Sequence, residues 1–362
     1  MTDRVGPAGR LPFAFDALGG AGRLALVELV AGPIIVERLE LEVAEPGTDS
    51  GADHAERYQR RRTRLRSLAI RVPNATLDDR VAHARRHLAG LGITNVAARL
   101  HAGDANGYVS VRARAADGLA AADVTFRILL ANTGTQLRAL ASHIRVHGHL
   151  PSPGPVIADR ILTALLGATD AVGVVERPHV RGLCDVEIDL IGALLWALLP
   201  PAGWRLPAVT DIELVAVRIA KSALEVAFGP PGSRAGELGV RAQPLKLAAA
   251  HDLMHSADDQ LRDGHVEDAM RGYRALLAAG GPDQPLLLER ILALAAARPA
   301  WFFDGLELAR QALGRWPQFA AAHAALASIT LAQGDAREAA SHLTNVAQLA
   351  SGDDDTDQAT LA

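Results

Sequence analysis

Three histidines stand close together in the stretch ASHIRVHGHL: His143, His147 and His149. In an extended chain side chains alternate between two faces, so all three share one face, and two imidazoles separated by a single residue can hold a zinc ion. The same spacing, with Ile144 and Val146 opposite, describes a solvent-facing strand surface, and no acidic third ligand lies nearby in sequence. No metal is assigned. Asp185, Glu187 and Asp189 form an acidic ladder by the same rule. Like charges along one strand face seldom make an acid–base pair, so the ladder also reads as a solvated face. Cys184 is the single cysteine, which excludes an intrachain disulfide and a cysteine metal cluster. The chain carries no glycine-rich phosphate loop, nucleophile elbow or His-Glu metalloprotease motif. These residues point away from an enzyme, with no catalytic residue and no cofactor expected.

A basic run, RYQRRRTRLR, gathers Arg57, Arg60, Arg61, Arg62 and Arg64. Such a cluster can meet the phosphates of an anionic membrane or a nucleic acid. The net charge of -4 argues against bulk attraction to nucleic acid, and none is expected as a partner. Lys221 and Lys246 are the only lysines, a skew toward arginine that makes arginine runs less informative. A solvated loop or helix is the plainer reading. Transient approach to an anionic membrane is the functional one, with these five residues as its candidates.

The elements that carry these residues are mostly strands. Leu39, Leu41 and Val43 alternate with Glu40 and Glu42, as a half-buried strand requires. A polar loop, EPGTDSGADHAER, precedes a strand in LRSLAIRV and a helix from Thr76 to Leu91, with Leu77, Val81, Ala84, Leu88 and Leu91 on one face. Strands follow over Ile93–Ala102, Tyr108–Ala113, Val124–Leu130 and Leu137–Leu150, and Pro155 opens a helix carrying Ile157, Ile161, Leu162 and Leu165. Val186, Ile188 and Leu190 then alternate with the acidic ladder. Two further strands lie in TDIELVAVRI and SALEVAF, and the passages around Ile93–Ala113 and Val209–Gly229 share an apolar-Thr-polar-apolar opening.

Between them lies DLIGALLWALLPP, apolar on nearly all sides. Its run from Ile191 to Leu199 stops at Pro200-Pro201, well short of the roughly 20 residues that cross a membrane. It is expected as a core helix. The opening segment, MTDRVGPAGRLPFAFDALGG, is broken by glycine and proline where a signal peptide has an apolar core, so a cytoplasmic location is expected.

From about Ala250 the text turns helical and self-similar. AQGDAREAASHL sets Gly334, Ala339 and Leu343 below Leu326, and RDGHVEDAMRGY sets Gly264, Ala269 and Tyr273 at matching offsets; Leu292, Gly305, Ala309, Ala312 and Pro317 fall near equivalent places between them. With starts near 250, 286 and 320, the spacing is close to the roughly 34 residues of a tetratricopeptide unit. This third resembles the tetratricopeptide repeat family, although His323 and Glu289 stand where an early large aromatic is common. The resemblance implies a concave helical surface that docks a protein partner. The alternative is a packing or dimerisation appendage, which admits a homodimer.

The strand, helix and antiparallel-strand order of residues 10–230 looks like the tubular lipid-binding superfamily (TULIP-like). That likeness implies an α+β design, a curved antiparallel sheet wrapped around helices, followed by an all-α helical repeat domain of tetratricopeptide type. The divisions expected are a lipid-binding domain over 10–230, a linker over 231–244, helical repeats over 245–351 and an acidic disordered tail over 352–362. It further implies an elongated apolar cavity for a lipid or other apolar small molecule. Phe126, Ile128, Leu130, Ile144, Val146, Ile161, Leu165, Val186, Ile188, Leu194, Leu195 and Leu198 are its candidate lining. The rival reading is a protein-protein interaction scaffold with a packed, ligand-free N-terminal domain.

Overall fold

The computed structural model describes residues 11–18, 21–32, 34–43, 58–103, 107–167, 179–233, 242–280 and 284–356. The chain is mixed α+β: two antiparallel six-stranded sheets, then a helical region. Strands β1 (Ala14–Leu18), β2 (Ala21–Ala31), β3 (Ile34–Val43) and β4 (Thr63–Pro73) run as a meander. After α1 (Asn74–Ala89) comes a second meander of β5 (Ile93–His101), β6 (Tyr108–Asp117), β7 (Ala120–Thr133) and β8 (Gln136–His147). Helix α2 (Gly154–Leu166) precedes the hairpin β9 (His179–Gly182) and β10 (Asp185–Ile188), and α3 (Leu190–Leu198) precedes the hairpin β11 (Glu213–Ile219) and β12 (Ala223–Gly229).

The first hairpin extends the second meander, giving sheet B the order β5-β6-β7-β8-β10-β9, and the second hairpin returns to the first meander, giving sheet A the order β1-β2-β3-β4-β12-β11. Both sheets thus follow one plan, in which the later strand of a hairpin pairs with the fourth strand of a meander. The two passages with matching openings do form hairpins, β5–β6 and β11–β12, but on different sheets.

Local chemistry explains the ends of the elements. Helix α1 gives way to a turn at Gly92, whose φ is +73° and where a Cβ would sit 2.7 Å from the carbonyl oxygen of Ala116, so only glycine fits without strain. Asp189 caps α3 by accepting a hydrogen bond from the Gly192 amide at 2.8 Å, and Pro200 follows its last turn. Leu190 therefore opens that helix and does not close the preceding strand. Ile191, Ala193, Leu194, Leu195 and Leu198 are buried while Trp196 is 60 % exposed, so α3 buries a broad stripe, not its full circumference. Each such leucine withdrawn from water contributes about 1.5–3 kcal/mol.

The helical region begins at Ala242, earlier than the repeat spacing suggests. Helices α4 (Ala242–Arg262), α5 (Val266–Ala278), α6 (Gln284–Ala297), α7 (Phe302–Arg315), α8 (Ala320–Ala332) and α9 (Ala336–Thr356) pack as three successive hairpins, α4–α5, α6–α7 and α8–α9. Small residues permit the close approach: Ala269, Ala309 and Ala339 are buried. Helix α9 continues through residue 356, into the stretch expected as a tail. No described helix is long and apolar enough to cross a membrane.

Candidate functional site

The first helix of every hairpin touches sheet B. Helix α4 meets β7 and β9, whereas α6 and α8 meet β8. The register explains why this face accepts helices. Arg138 of β8 stands directly opposite Glu187 of β10, and Asp185 lies two residues along on the same face. This polar face lies under α4 and is shielded from water.

Arg138 is almost fully buried. Its Nε donates to Asp185 Oδ1 at 2.8 Å, and one Nη donates to Asp252 Oδ1 of α4 at 2.8 Å. Arg181 of β9 donates to Glu187 at 2.6 Å and reaches the same Asp252 at 3.3 Å. Burial opposes the charge on Arg138, but its bonds to Asp185 and Asp252 outweigh that penalty and hold its pKa above the ordinary arginine value. Asp185 and Glu187 therefore serve as interior counter-ions, which corrects their reading as a solvated face; Asp189 is the cap of α3.

A second layer lies deeper. Asp159 of α2 accepts from Arg262 of α4 at 2.9 Å and from the Cys184 amide at 2.7 Å. Cys184 is buried, its thiol donating to the Pro155 carbonyl at 3.3 Å, and burial pushes its pKa far up, so it is an inert thiol. Asp258 of α4 accepts a hydrogen bond from Tyr273 of α5 and lies 3.6 Å from the Nε of Arg290 on α6. Burial raises the Asp258 carboxyl to about 6, against the pull of Arg290 and the Tyr273 bond. Arg290 is fully buried, and its three nitrogens have no hydrogen-bond partner among the described residues; the same holds for both ring nitrogens of His251. Burial, then the charges of Arg290 and Arg138, keep His251 neutral with a pKa well below the usual value.

Where the helices pass the end of β8 a small cavity of about 40 Å³ opens, lined by Ile144, Val146, Gly154, Glu289, Ala293 and Ser328 among others. That volume admits water-sized guests, each of which needs roughly 10–15 Å³ on this measure. Glu289 fixes its floor by accepting the Ile144 amide at 3.0 Å.

The apolar residues named from sequence on β7 and β10 pair with other apolar residues. Phe126 pairs with Val111 and Ile128 with Val109, while Val186 pairs with Ala139 and Ile188 with Leu137. Phe126, Ile128, Leu130, Ile144, Ile161, Leu165, Val186, Ile188, Leu194, Leu195 and Leu198 are all buried, and Val146 is partly so. Only Ile144 and Val146 of this set line the cavity.

The histidines are not brought together. His143 has a φ of +54° at a bulge where Thr125 pairs with Arg145 but Arg127 pairs with Ser142, so the alternation of β8 slips by one residue there. His143 contacts Ser142 at 2.9 Å, His147 contacts Thr125 at 3.0 Å, and His149, past the end of β8, contacts Ser328 at 3.5 Å. The shared face expected from spacing is thereby corrected. In the basic run, Arg57 lies outside the described residues. Arg60, Arg61 and Arg62 are exposed, with Arg61 stacked 5.3 Å from the Tyr58 ring centroid, and Arg64 is tied to Asp211 and to the Thr210 carbonyl.

Sequence reasoning missed the ion layers, because their partners are far apart along the chain; the available signal was the pairing of acidic alternation at 185–189 with acidic and basic positions on the first amphipathic repeat helix. Comparison with protein-family models, with curated proteins and with solved structures gave no match in any of the three.

Proposed function

We propose that this chain is a non-enzymatic protein-interaction scaffold: tetratricopeptide-like hairpins whose inner helices are clamped onto a packed N-terminal α+β body, leaving the outer helices to meet a protein partner. The observation that carries the reading is the burial of Arg138 between Asp185 of sheet B and Asp252 of α4. Arg138, held in sheet B by the buried Asp185, reaches Asp252 of α4, and Asp159 of α2 accepts from Arg262 of α4, so polar contacts tie the helical region to the N-terminal body at more than one place. The inner face that a free repeat array would offer a peptide is occupied by sheet B. Apolar side chains on the outside remain available, Phe303 of α7 at 78 % exposure foremost.

The rival reading, a TULIP-like carrier of lipid or another apolar molecule, draws on the same apolar row along β7. What supports the scaffold over the carrier is the seating of the first helix of each hairpin on sheet B, with exposed apolar side chains left on the outer helices. One experiment separates them. The full chain carrying a photo-crosslinker at position 303 is irradiated in its host cells, and a second sample is purified for native mass spectrometry and organic extraction. A discrete protein adduct at position 303, without co-purified lipid, is expected. Stoichiometric lipid, with fatty-acid uptake lost in Ile128→Trp and Leu195→Trp but kept in Arg86→Ala, would replace the scaffold reading by the carrier.

A further inference from the structure

The two sheets keep their arginines in different company. On sheet A they are neutralised across strands: Arg23 of β2 meets Glu40 of β3, and Arg66 and Arg71 of β4 meet Glu42 and Glu37 of β3 at 3.5 Å and 3.2 Å. On sheet B three rows cross β5, β6, β7 and β8 in register: Arg99, Ser110, Arg127 and Ser142; Ala97, Arg112, Thr125 and Arg145; Thr94, Arg114, Asp123 and His147. The rows lie on the face opposite the buried Val111 and Phe126. They hold five arginines and one carboxylate, Asp123, which Arg112 and Arg114 share at 2.9 Å and 3.5 Å. Chain-wide arginine bias does not account for the contrast, because it acts on both sheets alike. The net charge of -4, which argued against a nucleic-acid partner, averages over this separation.

Arg99, Arg112 and Arg114 are exposed. Beside them stands a stack of flat groups. His101 of β5 lies parallel to the Tyr108 ring of β6, with centroids 4.7 Å apart and 4° between planes, and the guanidinium carbon of Arg127 is 4.4 Å from the same Tyr108 centroid. Ser110 Oγ meets His101 Nε2 at 2.7 Å and fixes the imidazole plane. Farther along β8 the same face carries Arg138 and lies under α4. A helix is about 10 Å thick with its side chains, so the open part of the sheet is the floor of a step. A planar bilayer would rest on the helix, whereas a single flexible chain reaches the floor.

We infer that this open face of sheet B binds single-stranded nucleic acid, its arginines taking backbone phosphates and the stack of His101, Tyr108 and Arg127 taking a base. Guanidinium forks match phosphate oxygens two at a time. The hydroxyls of Ser110 and Thr125 stand between arginines in their rows, where they can add phosphate contacts. Every base has a π-face, so stacking on aromatic and guanidinium planes tolerates any sequence. Four strands about 4.8 Å apart span roughly 14 Å, which takes about four phosphates at about 3.4 Å each. An acidic peptide would use the arginines and leave the stack idle. This partner is additional to the one met by the outer helices and does not depend on it.

Fluorescence anisotropy of the full chain with labelled uridine and thymidine oligonucleotides of about ten nucleotides tests the face. Binding to at least one is expected, weakening with salt at a log–log slope of about -3, as about four neutralised phosphates require. Arg112→Gln combined with Arg114→Gln should weaken binding by about tenfold or more and make the slope shallower by about 1 to 1.5. Tyr108→Leu should weaken it by about fivefold or more with the slope unchanged. Tyr108→Phe, which keeps the ring, and Arg66→Gln on sheet A should both bind as the parent does. The assignment is overturned if neither oligonucleotide binds at low salt, if binding survives the double arginine change, or if a folded Tyr108→Leu binds as the parent. Polyglutamate or phosphatidylserine vesicles captured through the same arginines, with no oligonucleotide bound, would put an acidic peptide or a membrane in its place. Should Tyr108→Leu unfold, competition decides: inorganic polyphosphate that displaces the probe as well, per phosphate, as unlabelled oligonucleotide shows that no base is held and overturns the assignment, and weaker displacement supports it.

Discussion

Arg138 of β8 and Asp252 of α4, 114 positions apart in the chain, meet at 2.8 Å. The guanidinium that joins them is buried, but the Asp252 side chain is about half exposed, whereas the Asp185 carboxylate on its other side is buried. That asymmetry makes the energetic weight of the two partners unequal.

Arg138→Met should accordingly cost about 3–5 kcal/mol, because it strands the Asp185 carboxylate in a dry interior. Asp252→Asn should cost no more than about 1 kcal/mol, as expected for a pair open to solvent. Urea unfolding of the full chain measures both. The double change Arg138→Met with Asp185→Leu should recover most of the loss, since a buried ion pair replaced by apolar side chains is often neutral. Equal losses for Arg138→Met and Asp252→Asn would mean that the layer is wet.

Asp258 makes stability depend on pH. Its folded-state carboxyl, raised by burial, titrates near 6 against an ordinary value of 3.8, so the folded protein holds the proton more tightly than the unfolded one. The contribution is present in full below the unfolded value and is lost as pH rises through 6, by about 3 kcal/mol. His251 works in the opposite sense: its depressed pKa contributes stability above the ordinary histidine range that is lost on acidification. Comparing Asp258→Asn with the parent isolates the first effect. The variant should gain on the parent as pH rises from about 4 to about 7.5, read by denaturant midpoints, and a constant difference across that range would remove Asp258 from the balance.

Two glycines of α7 should answer oppositely to alanine. A Cβ on Gly305 would sit 2.9 Å from both the Ala295 Cβ and the Ile329 Cδ1, whereas one on Gly314 meets nothing within 4 Å. Gly305→Ala should cost about 1–3 kcal/mol by forcing α7 off α6 and α8. Gly314→Ala should gain up to about 1 kcal/mol from helix propensity. Thermal unfolding of the two variants checks the sign of each, and the absence of a loss at position 305 would show that the hairpins pack more loosely than described.

Apolar alternation carried most of the fold, because it reports a local fact, which face of a strand is dry. The row Val124, Phe126, Ile128 and Leu130 is such a case, and each of the four is buried. Alternation fails where the backbone changes phase. In β2, Leu24, Leu26 and Leu29 are all buried although their spacing breaks the two-residue period, since Glu28 adopts a φ of +54°; β2 was not legible for that reason, and His143 of β8 shows the same slip. Polar alternation fails differently. Asp185 and Glu187 look solvated because nothing in their own neighbourhood announces Arg138, Arg181 and Asp252.

The place of β12 between β4 and β11 sets an order of events during synthesis. Strands β1 to β4 emerge from the ribosome long before residues 223–229, with which β4 pairs. Through that interval β4 carries an open edge of N–H and C=O groups that can template pairing with another chain. Sheet B closes sooner, since β10 follows α2 and pairs with β8 before α3 and the second hairpin are made. Pairings of large sequence separation form slowly, so the arrival of β12 is the late step, and the unfinished edge at β4 is where a nascent chain is most exposed to self-association.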